Sequence, residues 1–144
     1  MATYRQSFSI ETRGEVQAID VTDRVALAVK TSGIRDGIVC VFTPHSTAAI
    51  VANERERGLI ERDLPAALER MVPRGVSYAH NQAGDPNGHG HIRAALLGPS
   101  VTIPVADGRP MLGTWQQVLL LELDVRKRTR EVVVQVVGDG AANV

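Results

Sequence analysis

Residues 78–97 read Tyr78-Ala-His80-Asn-Gln-Ala-Gly-Asp85-Pro-Asn87-Gly-His89-Gly-His91-Ile-Arg93-Ala-Ala-Leu-Leu97. Three of the four histidines of the chain lie in this segment, together with one aspartate and two asparagines. The fourth, His45, belongs to a second polar cluster, Thr43-Pro-His45-Ser46-Thr47, which follows an apolar run. We therefore expect the fold to place His45 against residues 78–97, so that the two clusters form one polar site.

The first half of this segment is predicted to be a loop and the second half a helix. Glycines and one proline punctuate residues 81–90. A helix is expected to begin at Asn87 or Gly88 and to run to Leu97. Within a helix, side chains two residues apart diverge by roughly 200°. His89 and His91 are therefore not expected to bind one ion together, and His89 is predicted to be a bystander.

Strand-like patterns dominate the rest of the chain. Short apolar or alternating runs predict strands at 4–13, 16–21, 37–42, 48–52, 101–105, 110–112, 114–123 and 132–137, and the first two are placed to form a hairpin. Helical spacing predicts three helices here: one at 22–32, one at 55–62, and a short one that is capped by Asp63 and runs to Met71. Loops or turns are expected at 34–37 and 124–130, and a frayed tail at 138–144. This pattern predicts an α+β fold in a single domain, 1–144: a mainly antiparallel β sandwich or barrel with about three helices.

Several of these strands are apolar on both faces. Gly37–Phe42 is an unbroken apolar run, which is typical of a central strand buried on both sides. Cys40 lies inside it and is predicted to be a buried core thiol rather than a nucleophile. Since one face can meet the core and the other a neighbouring subunit, we expect an oligomer.

Composition excludes several classes of function. The chain has 144 residues, 16 basic and 16 acidic side chains, and only 3% aromatic residues. Balanced charge gives no footprint for nucleic acid or for an anionic membrane surface. No apolar run has the roughly 18 residues of a membrane helix, and no signal peptide is evident. With a single cysteine, the chain is expected in the cytoplasm, and nucleic acid and membranes are not expected partners.

The histidines suggest a metal site. Three imidazoles with one open coordination position are typical of catalytic zinc centres, which makes His45, His80 and His91 the candidate ligands of a divalent metal ion. The alternative is that loop histidines are solvated and have no common ligand. In this sequence three histidines fall within twelve residues, close to Asp85, so the two interpretations are evenly balanced.

The segment Thr43–Thr47 is a candidate phosphate site. It offers one imidazole and the hydroxyls of Ser46 and Thr47 just beyond a buried strand, where loop N–H groups also bind anions. A plain turn, in which the hydroxyls bond their own backbone, explains the pattern equally well. A Ser46–His45 nucleophilic pair is not expected, because adjacent side chains of an extended chain point apart.

Four further residues have either a structural or a functional role. Glu122 lies in the apolar run 118–123, where a carboxylate is costly unless it is paired. It either pairs with Arg126, Arg128 or Arg130 or faces the polar site as a base. Glu54 and Asp63 bracket a predicted helix as possible caps, and Trp115 is either a core residue or a wall over a planar ligand.

The motifs together resemble a known family. Thr43-Pro-His45-Ser46-Thr47, Asn53-Glu54, Asp63, Tyr78-x-His80, His91-Ile-Arg93-x-x-Leu-x-Gly98, Pro104-x-x-x-Gly108 and Leu112-Gly-Thr-Trp115-Gln116 resemble, in order, the YjbQ-like family. The resemblance covers nearly the whole chain. It implies a compact α+β barrel or sandwich that assembles as a homotrimer. Some members of the family are assigned a secondary thiamine-phosphate synthase activity, which joins a pyrimidine diphosphate to a thiazole phosphate and releases pyrophosphate.

The resemblance also implies roles for individual positions. The family pattern has His at 45, 80 and 91, carboxylates at 54, 63 and 122, and Trp115-Gln116. His89 lies outside the pattern, Ser46 stands where a threonine is common, and the turn 124–128 replaces a glycine-containing one.

The resulting hypothesis is an enzyme that handles a small phosphorylated molecule. The three histidines would hold zinc or magnesium, with Glu54 as base or orienting residue. Ser46, Thr47 and Arg93 would hold phosphate, and Trp115, Gln116 and Glu122 would complete the catalytic site. The alternatives are a metal-dependent hydrolase of a small substrate and a non-catalytic trimeric protein that binds a metal or a ligand.

Overall fold

The computed structural model describes residues 1–140, which form eight strands and three α-helices. The strands are β1 (Ala2–Glu11), β2 (Gln17–Asp20), β3 (Ile34–Phe42), β4 (Ala48–Asn53), β5 (Ser100–Ala106), β6 (Arg109–Pro110), β7 (Gln117–Glu122) and β8 (Thr129–Gly140). The helices are α1 (Thr22–Ser32), α2 (Leu64–Met71) and α3 (Gly88–Leu97); a π-helical turn, Leu59–Asp63, precedes α2, and a short 3₁₀ helix covers Ala79–Ala83.

The strands form two antiparallel sheets. The large sheet has the order β1-β8-β3-β5-β6, and the small sheet has the order β2-β7-β4. Every strand pair is antiparallel. The predicted α+β fold, with mainly antiparallel sheets and three helices, is therefore confirmed.

The main core lies between the two sheets and is closed at one edge by α1. Alternation along β8 directs Val132, Val134 and Val136 inward, and all three are fully buried. They pack in one apolar cluster with Ile50 and Leu120 of the small sheet. Because aromatic residues are scarce, this core is built almost entirely from branched aliphatic side chains.

A second apolar layer covers the other face of the small sheet. Leu119 and Leu121 point away from the main core and pack with Leu68 of α2 and Ala94 of α3. Leu119, Leu120 and Leu121 are each at most 1% exposed, so β7 is buried on both faces. This central position of β7 fixes its carboxyl end, where Glu122 lies, at the heart of the molecule.

The outer face of the large sheet is only partly covered within the chain. In β3 the inward Val39 and Val41 are fully buried, whereas Ile38 is 47% exposed and Phe42 is 38% exposed. The prediction that Gly37–Phe42 is buried on both faces is therefore wrong for this chain by itself. Cys40 lies on the same outward face and is half-buried, so it is not the core thiol that was predicted.

The predicted hairpin over residues 4–21 is also wrong. β1 pairs with β8, with Phe8 opposite Val132, whereas β2 pairs with β7, with Ile19 opposite Leu120. The two strands therefore belong to different sheets. Local alternation indicates that two strands exist, but it carries no information about which partners they take.

Several boundaries differ from the prediction. Residues 34–36 open β3 through an irregularity between Ile34 and Asp36 rather than forming a loop. β7 begins at Gln117, because the Gln116 N–H donates to Gly113 O in a turn. β8 continues through Gly140, so the predicted frayed tail is ordered strand at 138–140, and its remaining part, 141–144, lies outside the described residues.

The two helices predicted around Asp63 are one. Residues 57–71 are helical throughout, with the π-helical turn between their α-helical parts. Asp63 has φ −68° and ψ −47°, which are interior helical angles, so it does not cap a new helix. Across residues 1–140, the longest helices are too short or too polar to cross a bilayer.

Candidate functional site

A polar cleft of about 280 Å³ forms where the two clusters of the sequence meet. Ala48, the first residue of β4, pairs with Glu122, the last residue of β7. This pairing places the 43–47 loop beside the end of β7, and the N-terminus of α3 and the start of β8 close the remaining sides. The cleft is lined by Pro44, His45, Ser46, Thr47, Asn87, His91, Asp124, Arg128 and Arg130.

A buried ion pair forms the floor. Glu122 is fully buried and Arg130 is 4% exposed. Arg130 Nε donates to Glu122 Oε2 at 2.7 Å, and Nη2 donates to Oε1. Glu122 also accepts from the Thr12 hydroxyl at 2.7 Å and from the Asp124 N–H at 2.9 Å. Among the outcomes left open by the sequence, Glu122 thus pairs with Arg130, and both of its oxygens are occupied.

A chain of hydrogen bonds runs from this pair to the rim. The Thr47 hydroxyl accepts from Arg130 Nη2 at 2.8 Å and donates to Asp124 Oδ2 at 3.0 Å. Asn87 Nδ2 donates to the same Asp124 oxygen at 3.2 Å. Asn87 Oδ1 lies 3.0 Å from His80 Nε2, which donates in this arrangement. Thr47 therefore positions the charged groups of Arg130 and Asp124. The hydrogen bonds orient five side chains as a unit: Arg130, Thr47, Asp124, Asn87 and His80.

His45 is held in one tautomer. Its Nε2 accepts from the Glu131 N–H at 2.9 Å, so in the neutral ring the proton resides on Nδ1. Burial, and then the neighbouring Arg130 guanidinium, lower the pKa of His45 below its ordinary value of 6.5. Near neutral pH, His45 is thus an uncharged imidazole with one N–H to donate.

His91 forms a pair with His80. The ring centroids lie 4.5 Å apart in an edge-on arrangement. Burial and the proximity of His80 lower the pKa of His91, although Asp124 and Asp85 act in the opposite direction. His91 lines the cleft as a neutral imidazole, which is the form that can accept a proton.

These two lowered pKa values predict acid sensitivity. In the unfolded chain both histidines titrate near 6.5, so below that pH the unfolded state binds more protons than the folded state. Stability is therefore full above pH 7 and declines as the pH falls through 6.5 towards the folded-state pKa values. Urea unfolding at pH 7.5 and 5.5 should give a lower free energy of unfolding at pH 5.5. His45→Gln/His91→Gln should show a smaller difference, and an equal difference would contradict the assignment.

Arg128 supplies a donor to the cleft. Its Nη2 donates to Asp124 Oδ2 at 3.1 Å. Its Nε–H is buried, and within residues 1–140 it has no acceptor. A buried N–H without a partner is rare and requires an explanation, and an oxygen atom of a bound molecule would provide one.

The two carboxylates at the cleft, Asp124 and Glu122, do not occupy the free donors of His45 and Arg128. Burial favours the protonated form of Asp124, but hydrogen bonds from Asn87 and Thr47, with the charge of Arg128, hold its pKa below the ordinary value. Asp124 thus remains ionised, and the oxygens of both Asp124 and Glu122 accept hydrogen bonds from donors within the fold.

Asn87, Asp124, Arg128 and Arg130 were not predicted as site residues. Asn87 precedes the first residue of α3, so local pattern suggests a helix start rather than a ligand. The two arginines lie in a charged segment that resembles a solvated turn. The available signal was the buried Glu122, which requires a cationic partner.

Arg93 lies away from the cleft. It is 2% exposed, and its guanidinium donates to Val72 O at 2.9 and 3.1 Å and to Glu69 Oε2 at 2.9 Å. The structure therefore uses Arg93 to join α3 to the end of α2. The predicted phosphate contact by Arg93 is not supported by this placement.

His89 is fully buried on the opposite side of α3 from the cleft. Its Nε2 lies 2.6 Å from Glu15 Oε2, and Arg74 binds the other oxygen of Glu15 at 2.9 Å. The structure thus agrees with the helical argument that separated His89 from His91. His89 nevertheless has a definite role, since it joins α3 to the segment between β1 and β2.

Glu54, Trp115 and Gln116 lie at the other end of the small sheet. Asn53 pairs with Gln117, five residues along β7 from Glu122, which is about 17 Å at the rise of an extended strand. Trp115 is 69% exposed. Within one chain, the fold therefore does not bring these three predicted residues to the cleft.

The three predicted metal ligands are only partly brought together. His80 and His91 are adjacent, but the lone pair on His45 Nε2 is occupied by the Glu131 N–H. In residues 1–140 no three His, Cys, Asp or Glu side chains are arranged to hold a metal ion. As placed, the residues do not fit a three-imidazole centre unless the His45 ring turns.

Sequence comparison finds a matching protein family and similar proteins in several organisms. The family model described as "UPF0047 protein YjbQ-like" matches residues 6–139. A UPF0047 protein of Archaeoglobus fulgidus is 46% identical over 127 residues, which cover 88% of this chain and 96% of the relative. A UPF0047 protein of Methanothermobacter thermautotrophicus is 45% identical over 138 residues, which cover 96% and 94% of the two chains.

Solved structures show the same fold. A crystal structure of a "YbjQ-like protein of unknown function" from Sulfolobus solfataricus superposes with a TM-score of 0.86 at 37% identity, covering 96% of this chain and all of that one. An "uncharacterized conserved protein" of the yjbq/upf0047 family from Clostridium acetobutylicum gives a TM-score of 0.83 at 37% identity, covering 92% and 99%.

Proposed function

Because this chain belongs to the YjbQ-like UPF0047 family, as its motifs predicted, we propose that the cleft binds the phosphate of a small phosphorylated molecule and promotes group transfer. The observation that carries the proposal is the buried Nε–H of Arg128, which has no acceptor within residues 1–140. Guanidinium groups are well suited to phosphate, because their N–H donors match its oxygens in spacing and charge.

The neighbouring groups support an anionic ligand. His45 offers its Nδ1–H, and Ser46 places an exposed hydroxyl at the rim of the cleft. The carboxylate of Glu122 is already occupied by Arg130, and that of Asp124 by Thr47 and Arg128. A bound anion therefore meets donors, and its repulsion by the two carboxylates is offset by their cationic partners.

The proposed reaction is thiamine-phosphate synthase-like. In that transfer the thiazole nitrogen forms a C–N bond to the methylene carbon of the pyrimidine, the C–O bond to the diphosphate breaks, and pyrophosphate leaves with the bonding electron pair. Such a step needs charge stabilisation on the leaving group more than covalent assistance. Arg128 and the His45 Nδ1–H would stabilise the departing diphosphate. Neutral His91 would accept a hydrogen bond from a protonated oxygen of that diphosphate.

An assay of thiamine-phosphate formation tests this reaction. The His45→Ala/His91→Ala variant should lose at least 90% of the rate. Lys127→Gln, an exposed neighbour of Arg128, should keep it. Equal rates in the double variant and the parent protein would remove the reaction from this cleft. Tight binding of pyrophosphate without turnover would instead favour the non-catalytic binding protein.

A divalent metal ion remains part of the proposal, although no step above depends on it. His80 and His91 would be the first ligands, since their rings are 4.5 Å apart, and His45 would join them only after leaving the Glu131 N–H. The test is the metal content of protein purified without added ions. One zinc per chain that is lost in His80→Ala would support the centre, whereas trace metal unaffected by that change would contradict it.

We also propose that the chain assembles as a homotrimer through the outer face of the large sheet. Ile38 and Phe42 are exposed there on a regular strand, and an uncovered apolar face is typical of a subunit interface. Assembly would also allow a neighbouring chain to bring Trp115, Gln116 and Glu54 towards the cleft.

Phe42→Glu should therefore disrupt the assembly. Burying a carboxylate without a partner in an apolar interface is strongly unfavourable, so light scattering coupled to gel filtration should show the parent as a trimer and the variant as mostly monomer. Leu27→Glu, which places the same change on exposed α1, serves as the control and should remain a trimer. A trimeric Phe42→Glu variant would move the interface elsewhere.

A further inference from the structure

A larger cavity, of about 720 Å³, lies between α1 and the β5–β6 hairpin. Its apolar wall is formed by Ala26 of α1, by Pro110 of β6 and by Leu112 just after the hairpin, with Val29 and Ile34 beneath. The cavity is partly open to solvent, and its volume is within the range of small-molecule sites.

The hairpin that bounds this cavity is firmly placed. Asp107 and Gly108 both have positive φ, 51° and 72°, which is the geometry of the tight turns that join antiparallel strands. The Gly108 N–H donates to Arg35 O at 3.0 Å, and Arg35 Nη2 binds Asp107 Oδ1 at 3.2 Å. The cavity is thus a feature of the folded backbone rather than a gap left by a loose loop.

The rim of the cavity is cationic. Lys30, Arg35 and Arg109 line it, against the single carboxylate of Asp107. Arg35 is paired with Asp107, whereas Lys30 and Arg109 take part in none of the ion pairs formed within residues 1–140. The rim carries a net charge of about +2 in a chain whose formal net charge is zero.

This cavity is separate from the cleft at His45. Arg35 is the second residue of β3 and Phe42 is the last, so the two sites lie at opposite ends of that strand, about 24 Å apart along it. None of the residues that line one site lines the other. A ligand of the cavity is therefore independent of the phosphate chemistry proposed above.

We propose that this cavity binds a small amphipathic anion, with its carboxylate or phosphate at Lys30 and Arg109 and its apolar body against Ala26, Pro110 and Leu112. Charge complementarity selects the head group, because the paired Asp107 leaves two cations without a carboxylate. Apolar burial selects the body, because each methylene group removed from water on binding adds to the affinity. A wholly polar anion would leave the apolar wall in contact with water.

Octanoate is a suitable probe. Acetate, which lacks the apolar body, and 1-octanol, which lacks the charge, serve as controls. Titration of the full chain, followed by amide NMR, should show saturable shifts at Gly33 and Gly108, which line the cavity. Gly90, beside the other site, should not shift. Octanoate should bind at least tenfold more tightly than either control molecule.

Charge reversal at the rim completes the test. Lys30→Glu/Arg109→Glu should weaken octanoate binding at least tenfold, and both residues are exposed, so the fold should be retained. Arg62→Glu/Arg70→Glu makes the same change in charge at exposed positions around α2 and should leave binding unchanged. Equal binding by the two double variants, equal affinity for acetate, or shifts confined to the outer face of the large sheet would each overturn the proposal.

Discussion

Arg130→Met is expected to lower the free energy of unfolding by about 3–5 kcal/mol, which is typical when one partner of a buried ion pair is removed. Glu122 is fully buried and would retain only the Thr12 hydroxyl and the Asp124 N–H as donors. Urea unfolding at pH 7.5 and 25 °C measures the loss. The methionine fills much of the vacated volume, so the effect reports the orphaned charge rather than a cavity.

Two further variants separate charge from packing. Glu122→Gln in the Arg130→Met background removes the orphaned charge, so the double variant should be more stable than Arg130→Met alone. Arg126→Met breaks the exposed pair with Asp85, in which the side chains are 54% and 39% exposed, and should cost less than about 1 kcal/mol. Equal losses in Arg126→Met and Arg130→Met would refute the importance assigned to the buried pair.

Gly90→Ala is expected to destabilise the protein by about 2 kcal/mol and to weaken ligand binding in the cleft at least tenfold. A Cβ at position 90 would clash with Leu123 O, a backbone atom of a buried segment that cannot easily move. The N-terminus of α3 must therefore shift outward and carry His91 with it. Overpacking of this kind typically costs 1–3 kcal/mol, although alanine is otherwise favoured over glycine inside a helix.

Gly75→Ala is the matched control for this change. A Cβ at position 75 meets nothing within 4 Å, so both stability and binding should remain close to those of the parent. Urea unfolding and pyrophosphate titration are measured on both variants. A stabilised Gly90→Ala protein with unchanged binding would show that α3 does not depend on its close approach to Leu123.

Much of the fold could be predicted from local pattern. Periodicity placed α1 at residues 22–32 and α3 between Gly88 and Leu97, and both agree with the structure. The helical geometry of α3 also separates His89 from His91 on the basis of sequence alone. Strand partners could not be predicted, because alternation identifies a strand and its two faces but not the sheet to which it belongs.

The candidate site was predicted less completely for a related reason. His45, His91, Ser46 and Thr47 were expected in one site, and all four line the cleft. Arg128 and Arg130 reach it only because β8 pairs with β3, a contact between segments about ninety residues apart. Arg93 was also expected to hold phosphate there. Residues two positions apart on a helix point in different directions, so Arg93 does not follow His91 into the cleft, and its partners are Val72 and Glu69.

The most direct test of the central claim, that Arg128 and its neighbours form a phosphate site, is calorimetric titration of pyrophosphate into the full chain and into Arg128→Gln. We expect one site per chain in the parent and at least tenfold weaker binding in Arg128→Gln, because the substitution removes both the guanidinium charge and the buried Nε–H donor. Lys127→Gln removes the same charge from the adjacent, exposed position and should bind almost as the parent does. Equal affinity in the Arg128→Gln and Lys127→Gln variants would contradict the account.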